Sequence, residues 1–145
     1  MDLIKTMDIA SGGMTAQRTR LNVISMNLAN ANTTKTENGQ PYRRKTVIFE
    51  AEPAGDSFSG QLERSLDEQI QGVRVKEIVP VEGEFKRIHD PGHPDADAQG
   101  YVYLPNVNLV QEMVQMLNAN RSYEANAAVI RTAKDMALKA LDISR

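Results

Sequence analysis

Residues 3–30 read LIKTMDIASGGMTAQRTRLNVISMNLAN, and the spacing of their apolar members decides the fold. Leu3, Met7, Ala10, Met14, Gln17, Leu21, Ile24 and Leu28 fall at alternating steps of four and three. That is the a/d repeat of a helix built to lie along another helix. Gln17 is its polar member. Gly12 and Gly13 each weaken the helix by roughly 1 kcal/mol relative to Ala. The pair suits either a hinge or a close backbone approach, and spacing alone does not separate the two. The helix is expected to fray through Asn30-Ala31-Asn32-Thr33-Thr34, where short polar side chains compete for backbone hydrogen bonds.

A partner repeat lies at the other end of the chain. Over 108–143, Leu109, Met113, Met116, Asn120, Tyr123, Ala127, Ile130, Lys134, Ala137 and Leu141 again alternate by four and three. Asn108 is a candidate N-cap, with Gln111 three residues on as its capping-box partner. Each helix would run about 45 Å or more at 1.5 Å per residue. An antiparallel pairing with Gln17 opposite Asn120 places Leu28 against Leu109, Ile24 against Met113, Leu21 against Met116, Met14 against Tyr123 and Met7 against Ile130. Such a polar layer fixes register at a cost in stability. Val110, Val114, Leu117, Val129 and Leu138 lie off this seam, so a two-helix hairpin leaves them exposed. Apolar surface of that kind calls for protein partners.

The stretch between the helices changes character. Asn38-Gly39-Gln40-Pro41 signals a turn. Tyr42–Glu50 and Val73–Lys76 read as strands, with Glu84–Ile88 and Tyr101–Leu104 as weaker ones. Residues 51–61 read as a loop, and 62–71 as either a short helix or a mobile segment. The predicted fold is α+β: an N-terminal helix within 1–34, a β-rich middle over 35–105, and a C-terminal helix within 106–145. The two helices form an antiparallel coiled coil.

Composition narrows the function. The chain has 145 residues, which suits one modest domain, and 5% aromatics, which leaves few large rings for a self-contained core. Seven Met suit irregular helical interfaces. The absence of Cys excludes disulfides, Cys-ligated zinc and a thiol nucleophile. The net charge of −2 gives no reason to expect nucleic acid. Residues 51–100 carry eleven acids against five bases, and this reads as a solvated middle between packed ends rather than an acidic binding surface. No apolar run is long enough to insert in a membrane, and the first residues lack the pattern of a Sec signal peptide.

The most chemistry-like segment is His89-Asp90-Pro91-Gly92-His93-Pro94-Asp95-Ala96-Asp97, which holds both His residues. Short-spaced His and Asp can ligate a divalent metal, but a Pro/Gly-rich loop offers ligands no rigid frame. It reads as a polar turn, with no metal or other cofactor. No Gly-x-Ser-x-Gly elbow and no phosphate-binding Gly loop occurs, so catalytic residues are not expected. Arg43-Arg44-Lys45 reads as an edge or a solvated face more readily than as a nucleic-acid contact.

Two stretches carry a family resemblance. Ser11-Gly12-Gly13-Met14-Thr15-Ala16-Gln17, followed by Arg20-Leu21-Asn22-Val23-Ile24-Ser25-Met26-Asn27-Leu28-Ala29-Asn30, resembles the N-terminal signature of the flagellar rod and hook axial proteins. Asn120-Arg121-Ser122-Tyr123-Glu124-Ala125-Asn126 is similar to their C-terminal signature. The short middle, with Asn38–Lys45, Asp90–Asp97 and Gly100–Asn108, is similar to the short proximal-rod members.

The resemblance implies a structural subunit of the basal-body rod, not an enzyme. Such a subunit is exported without a cleaved signal by the flagellar type III apparatus and crosses the periplasm as part of the shaft. It polymerises through terminal helices with copies of itself and with other rod proteins, and transmits torque from motor to hook. The expected assembly interface comprises Leu3, Met7, Met14, Gln17, Leu21, Ile24, Asn27, Leu28 and Asn30. On the second helix it comprises Met113, Met116, Asn120, Tyr123, Glu124, Asn126, Ile130 and Leu141. The Asn residues would bond across subunit boundaries without burying charge. A soluble adaptor or export chaperone is the alternative from another class; a metal-dependent enzyme is a more distant one.

Overall fold

A computed structural model describes residues 3–53 and 71–143. Its elements are α1 (Leu3–Ala29), β1 (Lys45–Pro53), β2 (Gln71–Pro80), β3 (Lys86–His89), β4 (Tyr101–Leu104) and α2 (Leu109–Ile143). The α+β class is as predicted: two long terminal helices and a β middle of two small hairpins. Most of the predicted loop over 51–61 and short element over 62–71 lies outside the described residues. Ala51–Pro53 and Gln71, at its two ends, belong to strands.

Helix α1 ends where its sequence turns to Asn and Thr. Asn30 Nδ2 donates to the Met26 carbonyl, and the Ala31 N–H reaches back only three residues to Leu28. Side chain and tightened backbone together satisfy carbonyls that the helix no longer can. At the other end of the connection, Asn108 Oδ1 accepts from the N–H groups of Val110 and Gln111, so Asn108 is the N-cap of α2. The turn between 36 and 40 closes through Gly39 at φ +72°, a conformation glycine adopts without a Cβ penalty.

Strands β1 and β2 form an antiparallel hairpin with a bulge at Ile48/Phe49. The first strand was expected over Tyr42–Glu50 and instead runs Lys45–Pro53. Its outer face carries Glu50, Glu52, Arg74 and Lys76 in exposed ion pairs of 3.0–3.7 Å. Such pairs add little stability, and they fit the solvated reading of the acidic middle.

The hairpin packs against α1, and α1 also packs along α2, so α1 is the central layer. This explains its glycines. A Cβ on Gly13 would lie 2.7 Å from Asn126 Nδ2 on α2, and one on Gly12 would lie 3.1 Å from the Val73 carbonyl on β2. The pair serves close approach on two sides at once, and α1 continues through it as helix. Gly13→Ala is expected to push the Asn126 side chain aside, so that an overpacking loss of about 1–3 kcal/mol is offset in part by roughly 1 kcal/mol of helix propensity. Asn126→Gly in the same chain should restore most of that loss in a urea unfolding curve; failure to do so would place the strain elsewhere.

Strands β3 and β4 pair antiparallel, and their connection is the His/Asp segment. Its polar groups are spent on the loop itself. Asp97 Oδ1 accepts from the N–H groups of Gln99 and Tyr101, Asp90 Oδ1 from Gly92, and His93 Nδ1 from Asp95. Thr34 Oγ1 donates to Asp95 Oδ2 at 2.7 Å, tying the loop to the end of the first connection. The His89 ring meets Tyr101 edge-on, with Arg87 stacked 4.0 Å over the Tyr101 ring.

The Tyr101 N–H bond holds the Asp97 carboxyl below the usual carboxylate range, with the Gln99 N–H and the charges of Arg87 and His89 adding to the effect. A carboxyl lowered on folding stabilises the loop above its unfolded pKa, and that contribution is lost as pH falls through the folded value. The Asp97 titration in a carboxyl NMR experiment is therefore expected to have a midpoint below that of a free Asp. In Asp97→Asn the amides of Gln99 and Tyr101 should lose their acid-dependent shift; an unchanged shift would assign it to another group.

Candidate assembly interface

A buried polar joint lies where both helices and the first hairpin meet. Asn27, on the last turns of α1, is fully buried with all four capacities of its amide used. Its Nδ2 donates to the Lys45 carbonyl at 2.8 Å and to Glu112 Oε2 at 3.0 Å. Its Oδ1 accepts from Tyr42 OH at 3.0 Å and from the Lys45 N–H at 2.9 Å.

Glu112, in the first turn of α2, is equally buried; its Oε1 accepts from Arg44 Nε at 2.6 Å. Arg44 Nη2 also donates to Gln115. Asn106 closes the joint by accepting from the Arg44 N–H and donating to the Val81 carbonyl. Ala31, Tyr42 and Val107 form the apolar cluster beside it. Burial, and then the Glu112 carboxylate, push the Tyr42 phenol above its usual range, which keeps it a protonated donor.

Asn27, expected at a boundary between subunits, thus has its hydrogen bonds inside the chain. Of Arg43 and Arg44, expected as an edge or solvated face, Arg43 is exposed and Arg44 is drawn into the joint. The Arg43 guanidinium lies 4.9 Å over the Phe85 ring, and Arg44 is paired in the joint.

The helix contacts differ from the predicted register. That register would set Gly13 opposite Glu124 and Asn27 opposite Val110. Gly13 instead meets Asn126, and Asn27 meets Glu112, two residues further along α2 in each case. The buried positions of α2 are Glu112, Ala119 and Ala133, with Met116, Tyr123, Asn126 and Ile130 half-buried between them. The seam is rotated by one residue from the apolar repeat: Leu109, Met113, Asn120 and Leu141 are exposed, as is Glu124.

Gln17 does not find Asn120. Its Oε1 is buried with no hydrogen-bond partner among the described residues. On α1, Ile24 is buried, while Leu3, Met7, Met14, Gln17, Leu21, Leu28 and Asn30 are half-buried. The cause of the rotation is proximity. Backbones that approach within the reach of Gly13 have room for Ala and Asn but not for Leu and Met.

The displaced large side chains lie on the outer face of α2. Leu109, Val110, Met113, Val114 and Leu117 are 52–71% exposed over the first turns of α2. The off-seam residues Val129 and Leu138 are exposed too, as their spacing predicts. Between Leu109 and Asn120 the one charged residue is Glu112, and it is buried. Three helical turns therefore present an uncharged, largely apolar face to the outside. At the other end of the pair, Leu3, Thr6, Val129, Thr132, Ala133 and Met136 help line an open groove of about 450 Å³.

Sequence reasoning passed over Glu112, Tyr42 and Asn106. The signal for Glu112 was available: a lone acid inside an otherwise uncharged helical stretch needs a reason to be there. No helix of the described residues is long and apolar enough to cross a membrane.

Comparison with known proteins assigns both ends. Residues 7–35 match the family described as flagella basal body rod protein, and 98–143 match that described as flagellar basal body rod FlgEFG protein C-terminal. The flagellar basal-body rod protein FlgC of Borreliella burgdorferi is 46% identical over 149 residues, covering 99% of this chain and 98% of that protein. The protein of the same description from Escherichia coli O6:H1 is 41% identical, and that from Bacillus subtilis 39%, each with full coverage of both chains.

Proposed function

Because the chain belongs to the FlgC family of flagellar basal-body rod proteins, we propose that it polymerises through its terminal helices into the shaft that carries torque from motor to hook. The family's role is structural rather than enzymatic, its place is the flagellar basal body, and it assembles with other rod components. In our reading the chain also contacts copies of itself. It reaches the periplasmic rod through the flagellar type III apparatus, without a cleaved signal.

The observation that carries this reading is the uncharged apolar face of α2, in the segment that matches the rod family's C-terminal model. Five large side chains held in water over three turns favour a neighbour that covers them. We further propose that α1 and α2 form an antiparallel coiled coil within each subunit, supported by the Gly13–Asn126 and Asn27–Glu112 contacts. The expected interface residues then divide by role. Asn27, Met116, Tyr123, Asn126 and Ile130 hold the pair together. Met113, Asn120, Glu124 and Leu141 face neighbours.

Electron microscopy of basal bodies from a strain lacking this gene tests the role. Membrane rings without a complete rod or hook, restored by supplying the gene, are the expected result. Complete rods bearing hooks would overturn it.

A further inference from the structure

We propose that Asn38 is a deamidation site, labile in the unfolded chain and guarded after folding by the hydrogen bonds of the turn in which it stands. The site depends on the chemistry of one peptide bond and not on the rod role.

Asn38 is the only Asn of the chain that is followed by Gly. In such a pair the Gly39 nitrogen, once deprotonated, attacks the side-chain carbonyl carbon of Asn38. A bond forms from that nitrogen to Cγ, the bond from Cγ to Nδ2 breaks, and ammonia leaves with the proton. Water then opens the cyclic succinimide at either carbonyl, giving aspartate or isoaspartate. No oxidant or cofactor is needed. Glycine favours the attack because no Cβ restricts the backbone or crowds the nitrogen.

Access does not oppose this chemistry in the folded chain. Asn38 and Gly39 are both exposed, and a Cβ built on Gly39 would meet nothing within 4 Å. Exposure alone would therefore leave the site labile. What opposes the attack is the turn. The Gly39 N–H donates to the Thr36 carbonyl at 2.8 Å. That bond favours the protonated nitrogen, because a deprotonated one would face a carbonyl oxygen at close range. The turn is held shut by the Thr36 N–H and Oγ1, which both donate to the Gln40 carbonyl at 2.8 Å.

The products show why the guard matters. Aspartate at position 38 would add a charge beside Glu37. Isoaspartate would add a methylene to the main chain between Thr36 and Gln40, inside the bonds that close the turn. Just beyond lies Tyr42, whose N–H donates to the Thr33 carbonyl and whose OH donates to Asn27 in the buried joint. A lesion made before folding would thus alter the path of the chain into that joint.

The test incubates the full-length chain at mildly alkaline pH, once folded in buffer and once in guanidinium chloride, with circular dichroism reporting the helices. Peptide mass spectrometry reads conversion of the Asn38 amide to a carboxyl. The reaction is expected in denaturant and to be slower in buffer by about tenfold or more, since turn bonds must open before each attack. Asn38→Gln should abolish the signal from that peptide; its persistence would place the reaction elsewhere and overturn the site. Equal rates in buffer and denaturant, or no reaction in denaturant, would overturn the proposal as well. Thr36→Gly, which removes the Oγ1 bond and loosens the turn, should raise the folded rate towards the unfolded one. An unchanged folded rate would reject the turn as the guard. Should that variant lose its helices, Thr36→Val, which removes only the Oγ1 bond, is read in the same way.

Discussion

Glu112→Ala is expected to be the most damaging single substitution in this chain, at about 3–5 kcal/mol. It would strip Arg44 Nε and one hydrogen of the Asn27 amide of their acceptor, leaving only Gln115 and the Lys45 carbonyl as partners and the guanidinium charge unpaired. The loss is large because the charge that remains is unpaired, not because the ion pair itself contributes so much. A domain of this size has about 5–15 kcal/mol in total, so at least about a fifth of it would be gone. Glu112→Gln keeps an acceptor for Arg44 and should cost clearly less. Replacing all three partners by Leu removes the orphaned groups and should recover much of the stability. Urea midpoints followed by helical circular dichroism would rank the three variants. Equal midpoints for Glu112→Ala and the triple-Leu chain would contradict the argument, since desolvated orphans would then carry no penalty.

Val114→Asp with Leu117→Asp is expected to have the opposite profile. Both side chains are more than half exposed, and exposed substitutions usually stay within about 0.5 kcal/mol. The isolated chain should therefore unfold as before. Assembly should fail, because two charges would enter an apolar contact and be stripped of water there. Cells carrying the double variant should not swim, and their basal bodies should lack a complete rod. Normal swimming would show that this face of α2 stays in solvent, and would move the assembly surface to the groove at the other end of the helix pair. Taken together the two experiments separate folding, where Glu112 is expected to act, from polymerisation, where Val114 and Leu117 are expected to act.

The sequence by itself determined that two long helices end the chain, that a turn-rich β segment joins them, and that more apolar surface exists than one chain can bury. Each of these follows from local information. Periodicity gives the helices, Asn108 caps the second, Asn30 to Thr34 end the first, and Gly39 permits the turn. The excess of apolar residues on α2 follows from counting the faces that two helices can cover.

Tertiary structure alone decided which face is the seam. The apolar repeat pointed to Leu109, Met113 and Leu141, yet these are exposed. The seam runs through Glu112, Ala119, Asn126 and Ala133 because α1 carries the hairpin on one side and must bring α2 very close on the other. Hydrophobicity ranks residues by their dislike of water, whereas close packing ranks them by size, and a three-layer arrangement made size the stronger constraint. The same holds for Arg44 and Glu112. They lie far apart in the chain, and only the fold that brings them to 2.6 Å turns two surface-type residues into the centre of the joint.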